Sequence, residues 1–87
     1  MDFKVKFFEL LSLPKEVALN LPVITLTGRD ALDIENYKGL LEYTDTTVRV
    51  NTKTGLLVIK GKKLILKQIT SENLLLSGDI ERVYYGT

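Results

Sequence analysis

Residues 34–61 read IENYKGLLEYTDTTVRVNTKTGLLVIKG, and they contain one short device twice. An apolar residue leads into four turn-forming residues that end in Gly, and a Leu-Leu pair follows. The first copy is Ile34, Asn36-Tyr37-Lys38-Gly39 and Leu40-Leu41; the second is Val50, Thr52-Lys53-Thr54-Gly55 and Leu56-Leu57. The offset is sixteen residues in both halves of the device. Gly at a fixed place between apolar pairs is the mark of strands joined by tight turns, because Gly enters positive φ without steric cost. The stretch therefore reads as paired hairpins. A third version, Leu66, Thr70-Ser71-Glu72-Asn73 and Leu74-Leu75-Leu76, follows only if the offset grows by two and Asn73 replaces Gly. Asn tolerates positive φ better than most residues, so that exchange is physically sensible.

Working outward, the same period of two runs from Pro22 to the C-terminus, with β-branched and aromatic residues enriched and turn residues about every eight positions. Eight short strands are predicted, at 23–27, 31–35, 40–44, 47–52, 56–60, 64–69, 74–77 and 80–85. Structural turns are expected at Gly28, Gly39, Gly55, Gly61 and Gly78 among others. Connections this short require antiparallel pairing or a coil of stacked strands. The expected fold is all-β: a small antiparallel β-meander forming a sandwich or roll, with a compact β-solenoid as the alternative that a sixteen-residue repeat allows. Several strands are apolar on both faces, Leu56 to Ile59 and Leu74 to Leu76 above all. A small domain buries one face of a strand more easily than two, so a second cover is expected.

Residues 1–20 have a different texture and read as an N-terminal arm ahead of a single β domain at 21–87. Phe3, Phe7 and Leu11 fall near helical spacing, whereas Phe3, Val5 and Phe7 alternating with Lys4 and Lys6 also suit a strand. A short helical arm in two pieces is preferred. Pro14 divides the pieces and suits the first turn of the second. The apolar side of this arm has two possible uses: to cover the β core, or to meet a membrane interface or a partner.

Eighty-seven residues make one domain, and 45% apolar content is ordinary for a globular chain. The chain has no Cys and no His. A disulfide framework and a thiolate metal site are thereby excluded, and the commonest general base and metal ligand are missing. No nucleophile is paired with a base, so an enzyme is not expected, and neither is any cofactor or metal. The carboxylates Asp33, Glu35, Glu42 and Asp45 lack the loop spacing of a calcium site. The Gly61-Lys62-Lys63 run lacks the remaining residues of a phosphate loop. A run long enough to span a bilayer and a secretory signal are both absent from the sequence, which favours a cytoplasmic or membrane-peripheral protein.

The net charge of +1 hides a polarity. Residues 30–45 carry Asp30, Asp33, Glu35, Glu42 and Asp45 against Lys38 alone, while residues 46–71 carry Arg49, Lys53, Lys60, Lys62, Lys63 and Lys67 and no acid. Lys60, Lys62, Lys63 and Lys67 form a candidate contact surface for a partner or for anionic lipid or polymer. Nucleic acid is not expected, since no aromatic platform accompanies them. Edge-protecting lysines are the simpler explanation of the same residues. Facing acidic and basic surfaces favour self-association, with a dimer as the expected state.

One further comparison draws on Leu13-Pro14-Lys15-Glu16-Val17, Leu21-Pro22, Ile24-Thr25-Leu26 and Gly28, then Ile34 to Gly39, Glu42-Tyr43, Val48 to Thr52, Gly55 and Leu57, Ile59 to Gly61, Leu64, Gly78 and Ile80. In this order they resemble the YabP/YqfC family of sporulation proteins, on the YqfC side, over nearly the whole chain. The resemblance implies a non-enzymatic protein made in the mother cell and needed for the spore envelope. It also implies an integral membrane partner of the YqfD type and a place peripheral to the outer forespore membrane. It carries over no catalytic residue.

Overall fold

A computed structural model describes residues 21–86, and among these every regular element is a β-strand. The helical expectation for residues 1–20 lies outside the described residues. The strands are β1 (Val23–Thr27), β2 (Ala31–Glu35), β3 (Tyr37–Tyr43), β4 (Thr47–Thr52), β5 (Gly55–Ile69) and β6 (Asn73–Gly86). They form one sheet in the order β1-β2-β6-β5-β4-β3, with every neighbouring pair antiparallel. The all-β antiparallel fold is the one expected. Its chain path differs from a simple meander at one place, where β6 lies between β2 and β5, and antiparallel pairing throughout leaves no room for a solenoid coil.

The sheet curls around its own core without closing. Leu32 and Ile34 of β2, Val48 and Val50 of β4, and Leu57, Ile59, Leu64, Leu74, Leu76 and Ile80 of β5 and β6 belong to one buried cluster. β2 and β4 have two strands, β6 and β5, between them in the sheet, so only a sheet folded back on itself brings their side chains into a common core. The fold line runs through the long hairpin of β5 and β6. β4 pairs with β5 from Gly55 to Lys60, and β2 pairs with β6 from Asn73 to Ser77. Each long strand therefore spends its first half beside a different neighbour.

Two expected turns are the bends of these strands. Gly61-Lys62 and Gly78-Asp79 were expected to end strands, and instead both lie inside them, where the β5–β6 register slips between Lys60 and Gly61 and again between Lys62 and Ile65. A bulge adds a residue to one side and changes which parity faces inward. In β5 the buried positions pass from Leu57 and Ile59 to Leu64; in β6 they pass from Leu74, Leu76 and Ile80 to Val83 at the core margin. Each long strand thus resembles two short ones in sequence, and eight segments become six strands. A side chain at Gly61 would overlap the Asp79 carbonyl oxygen, and Gly78 has φ 134 with its missing Cβ 2.6 Å from the Lys63 carbonyl oxygen.

Gly39 is also not a turn. It lies within β3 beside a register slip, and the chain passes from β2 to β3 through Asn36 alone, at φ 62. The Asn36 N–H donates to Glu72 O at 2.7 Å and its side-chain Nδ2 to Leu21 O at 2.9 Å. Three true hairpin turns share a different signature, a Thr at their first residue. Thr44 Oγ1 accepts from the Thr46 and Thr47 N–H groups, Thr52 Oγ1 from Thr54, and Thr70 Oγ1 from Glu72 and Asn73.

The sixteen-residue offset nevertheless has a structural counterpart. It carries β2 onto β4, with Leu32 onto Val48 and Ile34 onto Val50, all fully buried. It also carries the turn at Arg29-Asp30 onto the turn at Asp45-Thr46. These turns dock on the two bends in the same manner. Gly78 N–H donates to Asp30 O and Ile80 N–H to Arg29 O, at 3.1 and 2.9 Å. Gly61 N–H donates to Thr46 O and Leu64 N–H to Asp45 O, at 3.1 and 2.8 Å. Backbone donors freed by the bends are satisfied by carbonyls of equivalent turns, as a partly buried ladder requires.

Candidate interaction faces

Because the two halves of the sheet turn their inner sides to one core, their outer sides point away from each other. The outward side of β1, β2 and the first half of β6 carries Asp33 and Glu35. No Lys or Arg occurs in Val23–Thr27, Ala31–Glu35 or residues 73–77; the last part of β5, which pairs with residues 74–77, brings one exposed cation, Lys67, to this half of the sheet. Alternation places these acids outward, since Leu32 and Ile34, which alternate with them, are fully buried. Asn73 Nδ2 donates to Asp33 Oδ1 at 2.8 Å across the β2–β6 pair. Ile65 and Val23 add exposed apolar surface to this side, 48% and 38% accessible.

The outward side of β3, β4, the first half of β5 and the second half of β6 is basic. Arg49, Val58 and Tyr84 stand in one cross-strand row, with Glu42 beside Arg49, and Lys60 and Arg82 are partners in the next. Glu42 lies 3.7 Å from Arg49, and the Arg82 guanidinium sits 4.5 Å from the Tyr84 ring centre. Lys60 Nζ donates to Thr47 Oγ1 at 3.0 Å. Glu42, Thr47, Arg49, Lys60 and Tyr84, with Leu56, Val58 and Gly86, line an open groove of about 450 Å³, and Arg82 stands beside it as the cross-strand partner of Lys60. Gly86 leaves room there because its missing Cβ would stand 3.0 Å from Val58 Cγ2. Val58 faces outward yet is only 6% exposed, so the long flanking side chains roof it.

The lysines singled out in the sequence do not form one patch. Lys60 is half-buried in the groove, whereas Lys62 and Lys63 are exposed at the β5 bend, Lys62 at 3.9 Å from Glu81. Lys67 lies past the bend, in the half of β5 that pairs only with the first half of β6. Phe3, Phe7 and Leu11 lie outside the described residues. Tyr84 in the groove, and Arg82 stacked on it at the groove's side, are the residues of this face that sequence reasoning missed. Their i, i+2 spacing shows that they share a face, but only the β5–β6 register shows that the face is the one holding Lys60. Gly28 takes φ 57 in the β1–β2 turn and Gly55 φ 133 in the β4–β5 turn.

A seam runs where β3 approaches the second half of β5. The Tyr43 hydroxyl accepts from Leu66 N–H at 3.0 Å, and the Tyr37 hydroxyl donates to Thr70 O. Two tyrosines thus stand in for part of a strand ladder. Among the described residues no cluster of metal-ligating side chains occurs, and every buried side-chain polar atom has a partner.

Comparison with known proteins matches residues 20–87 to the sequence model of the YabP family. A protein of Bacillus subtilis (strain 168) named "Uncharacterized protein YqfC" is 41% identical over 75 residues, covering 86% of this chain and 81% of that protein.

Proposed function

The chain belongs to the YabP family, and on that premise we propose that it is a non-enzymatic sporulation protein of the mother cell. It acts in spore envelope formation by associating with itself and by binding an integral membrane partner, at the periphery of the outer forespore membrane. The observation that carries this reading is the pair of outward sheet faces, one acidic and one basic, each interleaved with apolar side chains. Such faces recognise macromolecules by area and charge and suit a protein that works by contact. Deleting the gene in the organism that encodes it tests the setting: spores with a defective envelope are expected, and normal spore yield with a normal envelope contradicts it.

A second reading is peripheral binding to anionic lipid or polymer, favoured by the exposure of Lys62 and Lys63 side by side at the bend. Sedimentation with vesicles containing phosphatidylserine separates the two. Binding at moderate salt that is lost in a Lys62→Glu/Lys63→Glu variant supports the lipid reading, since screening and charge reversal both weaken it. Binding through a protein partner leaves the vesicles without bound chain.

A further inference from the structure

We infer that copies of this chain associate head to tail, the acidic face of one copy seated on the basic groove of the next. This rests on the self-association reading above and specifies its geometry. A two-fold dimer through either face sets that face against itself. Asp33 and Glu35 then meet their own copies, or Arg49, Lys60 and Arg82 meet theirs, and like charges brought together across an interface oppose binding. The acidic face against the basic groove instead offers each carboxylate a cation. It also seats the exposed Ile65 and Val23 opposite Leu56 and Tyr84 of the groove.

The two faces lie on opposite sides of one core, so a copy bound through one keeps the other available. Contacts between unlike surfaces continue until they close a ring or extend as a filament. The extents of 36, 26 and 25 Å give projected faces of about 650 to 900 Å². That is of the order of the roughly 800 Å² per partner in a standard interface.

The experiment uses the full chain and two variants, Asp33→Asn/Glu35→Gln on the acidic face and Arg49→Gln/Lys60→Gln on the basic one. Both keep side-chain hydrogen bonding, and circular dichroism checks that the strand signal is retained. If either pair disturbs folding, Glu35→Gln alone and Arg82→Gln replace them. Sedimentation velocity of the unmodified chain is expected to show species larger than a dimer at rising concentration. Each variant is expected to weaken association about tenfold, on the scale of one to two lost charge pairs. An equimolar mixture is expected to form one-to-one dimers that grow no further, because each variant supplies the face the other lacks. A dimer that stops at two copies and survives both variants overturns head-to-tail association while leaving self-association standing. An unmodified chain that stays monomeric overturns both, and a mixture no more associated than its components overturns the pairing of these two faces.

Discussion

Gly39 and Gly61 carry the same turn signal in sequence but face different steric demands. Gly61 has no room for a methyl group, because backbone of β6 crosses at that point, whereas nothing lies within 4 Å of a Cβ at Gly39. Gly61→Ala is expected to destabilise the chain by about 3 kcal/mol, through displacement of the β5–β6 bend. Gly39→Ala is expected to stay within about 0.5 kcal/mol of the unmodified chain, as an open strand site allows. Urea unfolding of the two variants checks the contrast. Tyr43 makes a similar point for polar groups. Its hydroxyl is the partner of Leu66 N–H on a β5 edge that no strand covers. Tyr43→Phe keeps the ring and removes that acceptor, so a loss of about 1 kcal/mol in the same assay is expected.

At the scale of elements, the β5–β6 hairpin is the organising piece, and its bends reverse the usual reading of alternation. Leu64 is 2% exposed and its neighbour Ile65 is 48% exposed, although both sit in a run that is apolar throughout. Leu64→Ala is expected to cost about 3 kcal/mol in thermal or urea unfolding, and Ile65→Ser less than about 0.5 kcal/mol. The limits of β1, β2 and β4 are legible in the sequence because turn residues bound each of these strands and no bend interrupts them, with Leu32 and Ile34 of β2 and Val48 and Val50 of β4 alternating with polar residues. Those of β5 and β6 are not. A bulge changes parity as a turn does, and Gly-Lys and Gly-Asp supply turn chemistry at both bends. The β2 to β3 joint was hidden for the opposite reason, since Asn36 alone makes it and leaves Gly39 inside a strand. The Gly signal holds at Gly28 and Gly55, both at positive φ, and a second hairpin signal is the Thr opening the turns at Thr44, Thr52 and Thr70, a hydroxyl two or three residues ahead of the N–H groups it accepts from. Of the candidate surface, the charge polarity was readable from residues 30–71. Its conversion into faces depended on long-range register, which brings Arg82 and Tyr84 beside Arg49 and Lys60.

At the scale of the whole molecule, the curled sheet turns a polarity along the chain into a polarity across it. The first sixteen-residue unit contributes Asp33 and Glu35 to one outward side, and the second contributes Arg49, with Lys60 following on β5, to the other. This partial separation, with Glu42 beside Arg49 on the basic side and Lys67 in the acidic half as exceptions, favours contact between copies, where unlike sides meet. An association of this kind is steered by charge and weakens as salt is added. The most direct test is light scattering of the full chain over a dilution series, at low salt and again at about 1 M salt, where the Debye length falls to about 3 Å. The account predicts a mean mass that rises above that of a dimer with concentration at low salt and falls toward the monomer at high salt. A strict 9.8 kDa monomer at every concentration and both salts would contradict it.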